Sequence, residues 1–253
     1  MMWIATVFGA VGVLIGFLLG RVFRTTPNHP RGDMNPETSK HLDQIETAVR
    51  VARGVFAKFP HIDTLRNIIV IGLIDQMIEH HESMLMLIRA GKIGSAFALS
   101  RSIFESMFRG LWFALCATED QLKYFEDNDE LPFDTSGKRM NMTTIATAID
   151  TATGADPTDP SDQFFKGLKD RGWKALCSYT HSGLLQLGRR FVGHSVQPGA
   201  GYSDEEIVEI TTSSTTCVLI LIDRFLASEA DDEGSKSVMG LISTHGPLVA
   251  LSK

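Results

Sequence analysis

The first twenty residues, Met1 to Gly20, hold no charged side chain, and Arg21 and Arg24 follow at once. At helical rise, a run of that length just crosses a hydrocarbon core. It therefore reads as a transmembrane anchor over residues 1–23. A cleaved signal peptide would want a basic start, a shorter apolar core and a small-x-small cleavage site. Here the chain opens Met1-Met2-Trp3 and the basic residues come after the apolar run. Trp3 suits an interfacial position. A buried soluble helix is a third reading, but the polar linker that follows (24–34, with Pro27, Pro30 and Gly32) argues against it. Because Arg21, Arg24 and Arg31 all lie C-terminal of the run, the positive-inside bias predicts a single-pass protein of the inner (cytoplasmic) membrane, its large domain cytosolic. Gly12, Gly16 and Gly20 recur every four residues and clear one face for backbone-to-backbone packing. These three are the candidate oligomerisation residues, and a homo-oligomer is expected.

Beyond the linker, about 200 residues remain, enough for one domain with a sizeable core. A hydrophobic fraction of 43% and a charged fraction of 21% exclude wholesale disorder. The net charge is −6, and the lysines and arginines are scattered rather than set in a stripe with aromatics. That argues against an extended nucleic-acid-binding face, though a small basic groove formed in three dimensions would still suit an RNase. Cys116, Cys177 and Cys217 sit far apart in apolar or small-residue stretches, with no CxxC or Cys/His spacing. They read as buried thiols in a reducing compartment. No cofactor is indicated.

The domain reads as an irregular all-α bundle over 35–228, with a C-terminal tail at 229–253 that is either loose or docked as a short helix. Asn35-Pro36-Glu37 offers a cap, a proline at the first helical position and an early acid, opening a helix to about Phe59. Asp63 is the expected cap of the next, which reaches Arg89 and stops near Gly91. A third spans Ile93 to Cys116, and Thr118 with Gln121 caps a short fourth. A loop covers 128–141, a short helix 142–152, and turns 154–160. A stretch from Ser161 or Asp162 is broken at Gly172, ahead of a helix from Trp173 to Leu187. The glycine-rich loop 193–201 precedes a last helix, capped by Ser203 with Glu206, to about Ala227. Period-two alternation is nowhere sustained.

The third helix carries only three charges, Arg101, Glu105 and Arg109, in an otherwise apolar sequence. Arg101 falls among Phe97, Phe104, Phe108 and Trp112, with Glu105 one turn on. Burying such a pair costs several kcal/mol per ion before pairing repays it, so it marks either function or a structural i,i+4 bridge. If buried, Glu105→Ala should cost about 3–5 kcal/mol. On the second helix, His80 falls in a stripe with Ile69, Leu73, Met77, Met84 and Leu87, as a satisfied core histidine or a ligand. Glu79-His80-His81-Glu82 lacks both Glu-x-x-His and His-Glu-x-x-His spacing, so no metal site is expected. Further on, Lys174, Ser178, His181 and Leu185 are expected on one helical face, with Tyr179 and Ser182 beside it. A histidine amid hydroxyls and next to a lysine suits proton transfer or phosphate binding, and equally a hydrogen-bonded core. Lys174, Ser178 and Tyr179 are the candidate ligand-binding residues.

The run Ala98-Leu99-Ser100-Arg101-Ser102-Ile103-Phe104-Glu105, followed by Tyr179-Thr180-His181-Ser182-Gly183, resembles a group of uncharacterised bacterial helical proteins. These share an Ala-Leu-x-Arg-x-x-x-Glu helix and a later Tyr-x-His-(Gly/Ser)-Gly helix. Gly188-Arg189-Arg190-Phe191 and Tyr202-Ser203-Asp204-Glu205-Glu206-Ile207 look like the same group, over roughly residues 60–228. The resemblance implies a helical bundle in which Arg101, Glu105 and His181 converge, but no established activity; the three are the candidate catalytic residues. More distantly such bundles are similar to the HEPN superfamily of helical RNases, many of them toxins or defence effectors, which use an Arg-x4–6-His motif completed by a dimer partner. Arg189 and His194 have that spacing.

Three functions follow as expectations. The first is a membrane-anchored interaction or sensing module, acting through a protein partner or a small anionic ligand near Arg101 and His181, in bacterial defence or stress. The second is a metal-independent RNase with His181 or His194 as acid/base and Arg101 or Arg189 steadying the phosphate, RNA then being a partner. The third is an effector that damages the membrane through its glycine-ridged helices.

Overall fold

A computed structural model describes residues 34–58, 63–134, 136–192, 194–196 and 201–245. The anchor expected at 1–23, with Gly12, Gly16 and Gly20, and nearly all of the expected linker lie outside the described residues. Among the described residues the regular structure is helical, apart from one minimal hairpin and an isolated antiparallel bridge between Phe133 and Arg139. The elements run α1 (Pro36–Phe56), α2 (Leu65–Arg89), α3 (Ile93–Leu115), α4 (Glu119–Asn128), α5 (Met142–Ala152), α6 (Phe164–Thr180) and α7 (Leu184–Gly188). Then come β1 (Phe191–Val192), β2 (Ser195–Val196), α8 (Asp204–Ser228) and α9 (Asp232–His245). The two strands pair antiparallel, Phe191 opposite Val196.

Helix boundaries follow from local chemistry. The Asn35 side chain accepts from the Glu37 N–H, with Pro36 at the first position. Thr64, rather than the expected Asp63, caps α2 by accepting from the Asn67 N–H at 3.1 Å. Gly91, at φ +72°, turns the chain from α2 into α3. Reciprocal capping boxes open α4 (Thr118, Gln121) and α8 (Ser203, Glu206).

Helices α3 and α8 are the axis of the bundle. α3 packs against α2, α5, α6 and α8, and α8 against α1, α2, α3 and α9. Their crossing is close at Gly110, where a Cβ would stand 2.5 Å from Leu221 Cδ2. α8 is buried on every side, its run Thr211–Thr216 included. Three of its hydroxyls are accommodated because they bond back onto the helix: Thr211 to Ile207 O (2.7 Å), Thr215 to Thr211 O and Thr216 to Thr212 O (both 2.8 Å), while Thr212 Oγ1 lies 3.2 Å from His41 Nε2. Among the described residues α8 alone is long and apolar enough to cross a membrane, yet 89% of that stretch is buried inside the bundle. It is a core helix.

Two expected boundaries shift. Gly172 does not break α6, since it is buried in mid-helix. Of the two forms expected for the tail, the docked one is seen at the C-terminal side of residue 228: α9 packs on α8 and α1 and sends Val238 and Ile242 into the core. The bundle therefore extends to His245.

Candidate functional site

Helix α6 has no side-chain cap of its own at Gln163. The carboxylate of Asp150, on α5, serves instead, accepting from the N–H groups of Phe165 (2.7 Å) and Lys166 (2.9 Å). Burial pushes the Asp150 carboxyl above the usual range despite those bonds. This cap fixes where α6 begins. Its end is fixed by a left-handed residue, Ser182 at φ +54°, with the Gly183 N–H bonded to Ser178 O at 2.7 Å. That is a Schellman closure with serine at the position glycine ordinarily holds. Gly183 then starts α7, and the Ser178 hydroxyl accepts from the Leu185 N–H at 3.3 Å.

The expected single face over Lys174, Ser178, His181 and Leu185 therefore does not form, because the helix ends at Thr180 and His181 is its C-cap. Ser178 joins α6 to α7. Tyr179 lies 1% exposed in the core against Phe97 and Tyr202, so it lines no surface site. Lys174 is exposed.

Ending α6 there sets His181 over α3. Thr180 Oγ1 donates to Ala98 O (3.3 Å), and Arg101 Nη1 donates to His181 Nε2. A guanidinium has only donors, so Nε2 is the acceptor and the imidazole carries its proton on Nδ1. The Arg101 guanidinium also lies over the Trp173 ring, its Cζ 4.9 Å from the centroid. Arg101 Nη2 stands 3.7 Å from Glu105 Oε2, and Arg109 Nη2 is 2.5 Å from Glu105 Oε1. One carboxylate thus sits between two guanidiniums along a single stripe of α3, facing α6. Arg101, Glu105 and His181 do converge.

The stripe is not interior. Arg101 and Glu105 retain 20% and 24% side-chain exposure, so the expected buried pair at these positions is half-buried. The interior pair is elsewhere. Arg189 and Glu206 are each 7% exposed and joined by two hydrogen bonds, with a further bond from Arg189 Nη1 to Gly201 O. A guanidinium so engaged is not open to an RNA phosphate, which removes the support expected for Arg189. His194 is exposed on the hairpin turn.

On α2 the core histidine is His81, fully buried, rather than His80. The buried stripe is Val70, Ile74, Met77, Ile78, His81, Met84 and Leu85. The Thr215 hydroxyl is 2.8 Å from His81 Nε2 and already donates to Thr211 O, so it accepts here and the ring carries its proton on Nε2. Burial lowers His81 to about 4. Sequence reading also missed Trp173 as the platform for Arg101. An aromatic one helix away leaves no local pattern. Among the described residues no group of three or more His, Cys, Asp or Glu is placed to hold a metal ion.

A family model described as a family of unknown function, DUF6988, matches residues 74–241. That span takes in α3 with its charged stripe, the whole of α6 and α8, and most of α9. No curated protein and no solved structure matches the chain.

Proposed function

Because the chain belongs to DUF6988, a family whose function is unknown, we propose a role from the chemistry of its own site. The protein is a membrane-tethered, self-associating helical module that senses a small anionic ligand between α3 and the end of α6. The tether is the uncharged run Met1 to Gly20, and self-association runs through Gly12, Gly16 and Gly20. One observation carries the ligand: Arg101 and Arg109 share a single carboxylate, Glu105, so donors outnumber acceptors on a solvent-reaching stripe. Trp173 and His181 hold the Arg101 guanidinium in one orientation, the preorganisation that two-point recognition of a carboxylate or phosphate needs. A bacterial defence or stress setting rests on the distant HEPN likeness alone.

The test is calorimetric titration of the detergent-solubilised full chain with inorganic phosphate, pyrophosphate and citrate. Binding of at least one, weakened tenfold or more in Arg101→Ala and His181→Ala with helicity unchanged, is the expected result. No heat from any of them, or unaltered binding in both variants, removes the reading.

A second reading is a metal-independent RNase. The exposed His181 beside a guanidinium favours it, since an imidazole and a cation are the two groups phosphodiester cleavage asks for. RNA cleavage by the full chain in chelator, lost in His181→Ala, supports it. Absence of cleavage under those conditions eliminates it.

A further inference from the structure

One end of the bundle gathers the start of α1, the turn between α2 and α3, α7, the hairpin and the start of α8. The Asn35 N–H is bonded to Asp204 Oδ2 at 3.0 Å, and Arg89 pairs with Asp43 and Glu46. Tyr202, Arg190 and Gln186 all crowd Gly94, and Arg189 ties α7 to the first turn of α8 through Glu206. The N-terminal segment thus joins the bundle at the same end as α7 and the hairpin.

That end carries an apolar patch. Leu184 is 85% exposed, Val196 64%, Phe191 44% and Leu187 42%. Leu184 and Leu187 are one turn apart on α7, while Gln186 turns inward to bond Gly94 O at 3.2 Å. Phe191 and Val196 are direct cross-strand partners, so their side chains share a face of the hairpin. The Arg190 side chain reaches Gly94 beside them. Large aliphatic and aromatic side chains on a short helix and the base of the hairpin that follows it, with a basic residue beside them, have the composition of an interfacial membrane contact.

We infer that this patch seats on the bilayer surface beside the anchor, giving the domain a second membrane contact and one fixed orientation. The inference rests on the tethered reading above. The chain length is consistent with it: from Arg24 to Asn35 the backbone spans at most about 37 Å fully extended, so the end holding Asn35 cannot stand far from lipid. Seating also sets the depth of the anion site. Arg101 lies seven residues along α3 from Gly94, about 10 Å at helical rise, and His181 is three residues from Leu184.

The experiment uses the full chain reconstituted in vesicles of mixed phosphatidylcholine and phosphatidylglycerol. A fluorescent amino acid is placed by codon suppression at Leu184, at Val196 or at Ile68. Ile68 is also exposed (54%) but sits on the first turn of α2, at the far end of the bundle. Doxyl-labelled lipid should quench the probe at Leu184 and Val196 about twofold and leave Ile68 unchanged, as expected for side chains reaching the acyl boundary. Equal quenching at all three positions, or at none, overturns the inference while the tether stands, provided the protein sediments with the vesicles. If it does not sediment, the tethered reading fails and the inference with it. A probe signal at Leu184 that follows protein density rather than doxyl content shows a second copy covering the patch, and likewise overturns it.

Discussion

Arg189 and Glu206 face one another in the interior of the bundle, Nη1 to Oε2 at 2.8 Å and Nη2 to Oε1 at 2.5 Å. Glu206 also accepts from the Ser203 N–H at 2.9 Å, so a single carboxylate joins α7 to α8 and completes the α8 cap. Removing it strands a buried guanidinium. Glu206→Ala is expected to cost about 3–5 kcal/mol in urea denaturation followed by circular dichroism. Glu105→Ala, on the half-exposed stripe, should cost about 1–2 kcal/mol, because water reaches the guanidiniums it leaves behind. Equal losses for the two variants would contradict this assignment of interior and surface pairs.

Acid should destabilise the fold through His81. Its folded-state value is about 4, lowered by burial, against an ordinary 6.5. The unfolded chain therefore binds the proton first. Stability is whole above about pH 6.5, declines as pH falls towards 4, and levels off below that, by about 3 kcal/mol in order of magnitude. His41, lowered to about 4 by burial and by the nearby His245, adds a loss of the same sign. Denaturation midpoints measured between pH 7 and pH 4 should fall less steeply in His81→Gln than in the parent. Parallel profiles would show that His81 is not the group responsible.

Ser182 holds a left-handed conformation that a side chain disfavours, at the turn that ends α6. Ser182→Gly keeps the closure and removes the strain, so a gain of about 1 kcal/mol is expected, read as a rise in Tm of about 2–4 °C. The Arg101–His181 contact should survive unchanged. A fall in Tm would mean that the serine side chain contributes something the turn geometry does not reveal.

Gly110 permits the close crossing of α3 and α8. In Gly110→Ala the new methyl meets Leu221, which is itself fully buried and has nowhere to withdraw. A cost of about 1–3 kcal/mol is expected from overpacking. In the double variant with Leu221→Ala, the loss should be smaller than the sum of the single losses. Simple additivity would place the strain elsewhere.

Much of the secondary structure was legible because its signals are local. Asn35-Pro36, Thr118 with Gln121, and Ser203 with Glu206 each satisfy backbone N–H groups within one turn, and the observed helices start there. Arg101, Glu105 and His181 stood out as polar groups in apolar or hydroxyl-rich surroundings, and they meet. The end of α6 was not legible, because its left-handed position is a serine and its starting cap comes from Asp150 on another helix. Nor was the choice of His81 over His80. Adjacent residues differ by only 100° around a helix, and which of them faces inward depends on how α2 is rotated against α3 and α8.

By itself, then, the sequence determined the helical character, most helix starts, and which ionic groups would be unusual. Those depend on spacing along one chain segment. Only tertiary structure decided which ion pair is interior, that Arg189 is held by Glu206, that Trp173 underlies Arg101, and that the threonine run of α8 is core. Burial is a property of what other segments lay over a residue. The energy of a charge or hydroxyl changes by several kcal/mol according to that cover, and not according to its neighbours in sequence.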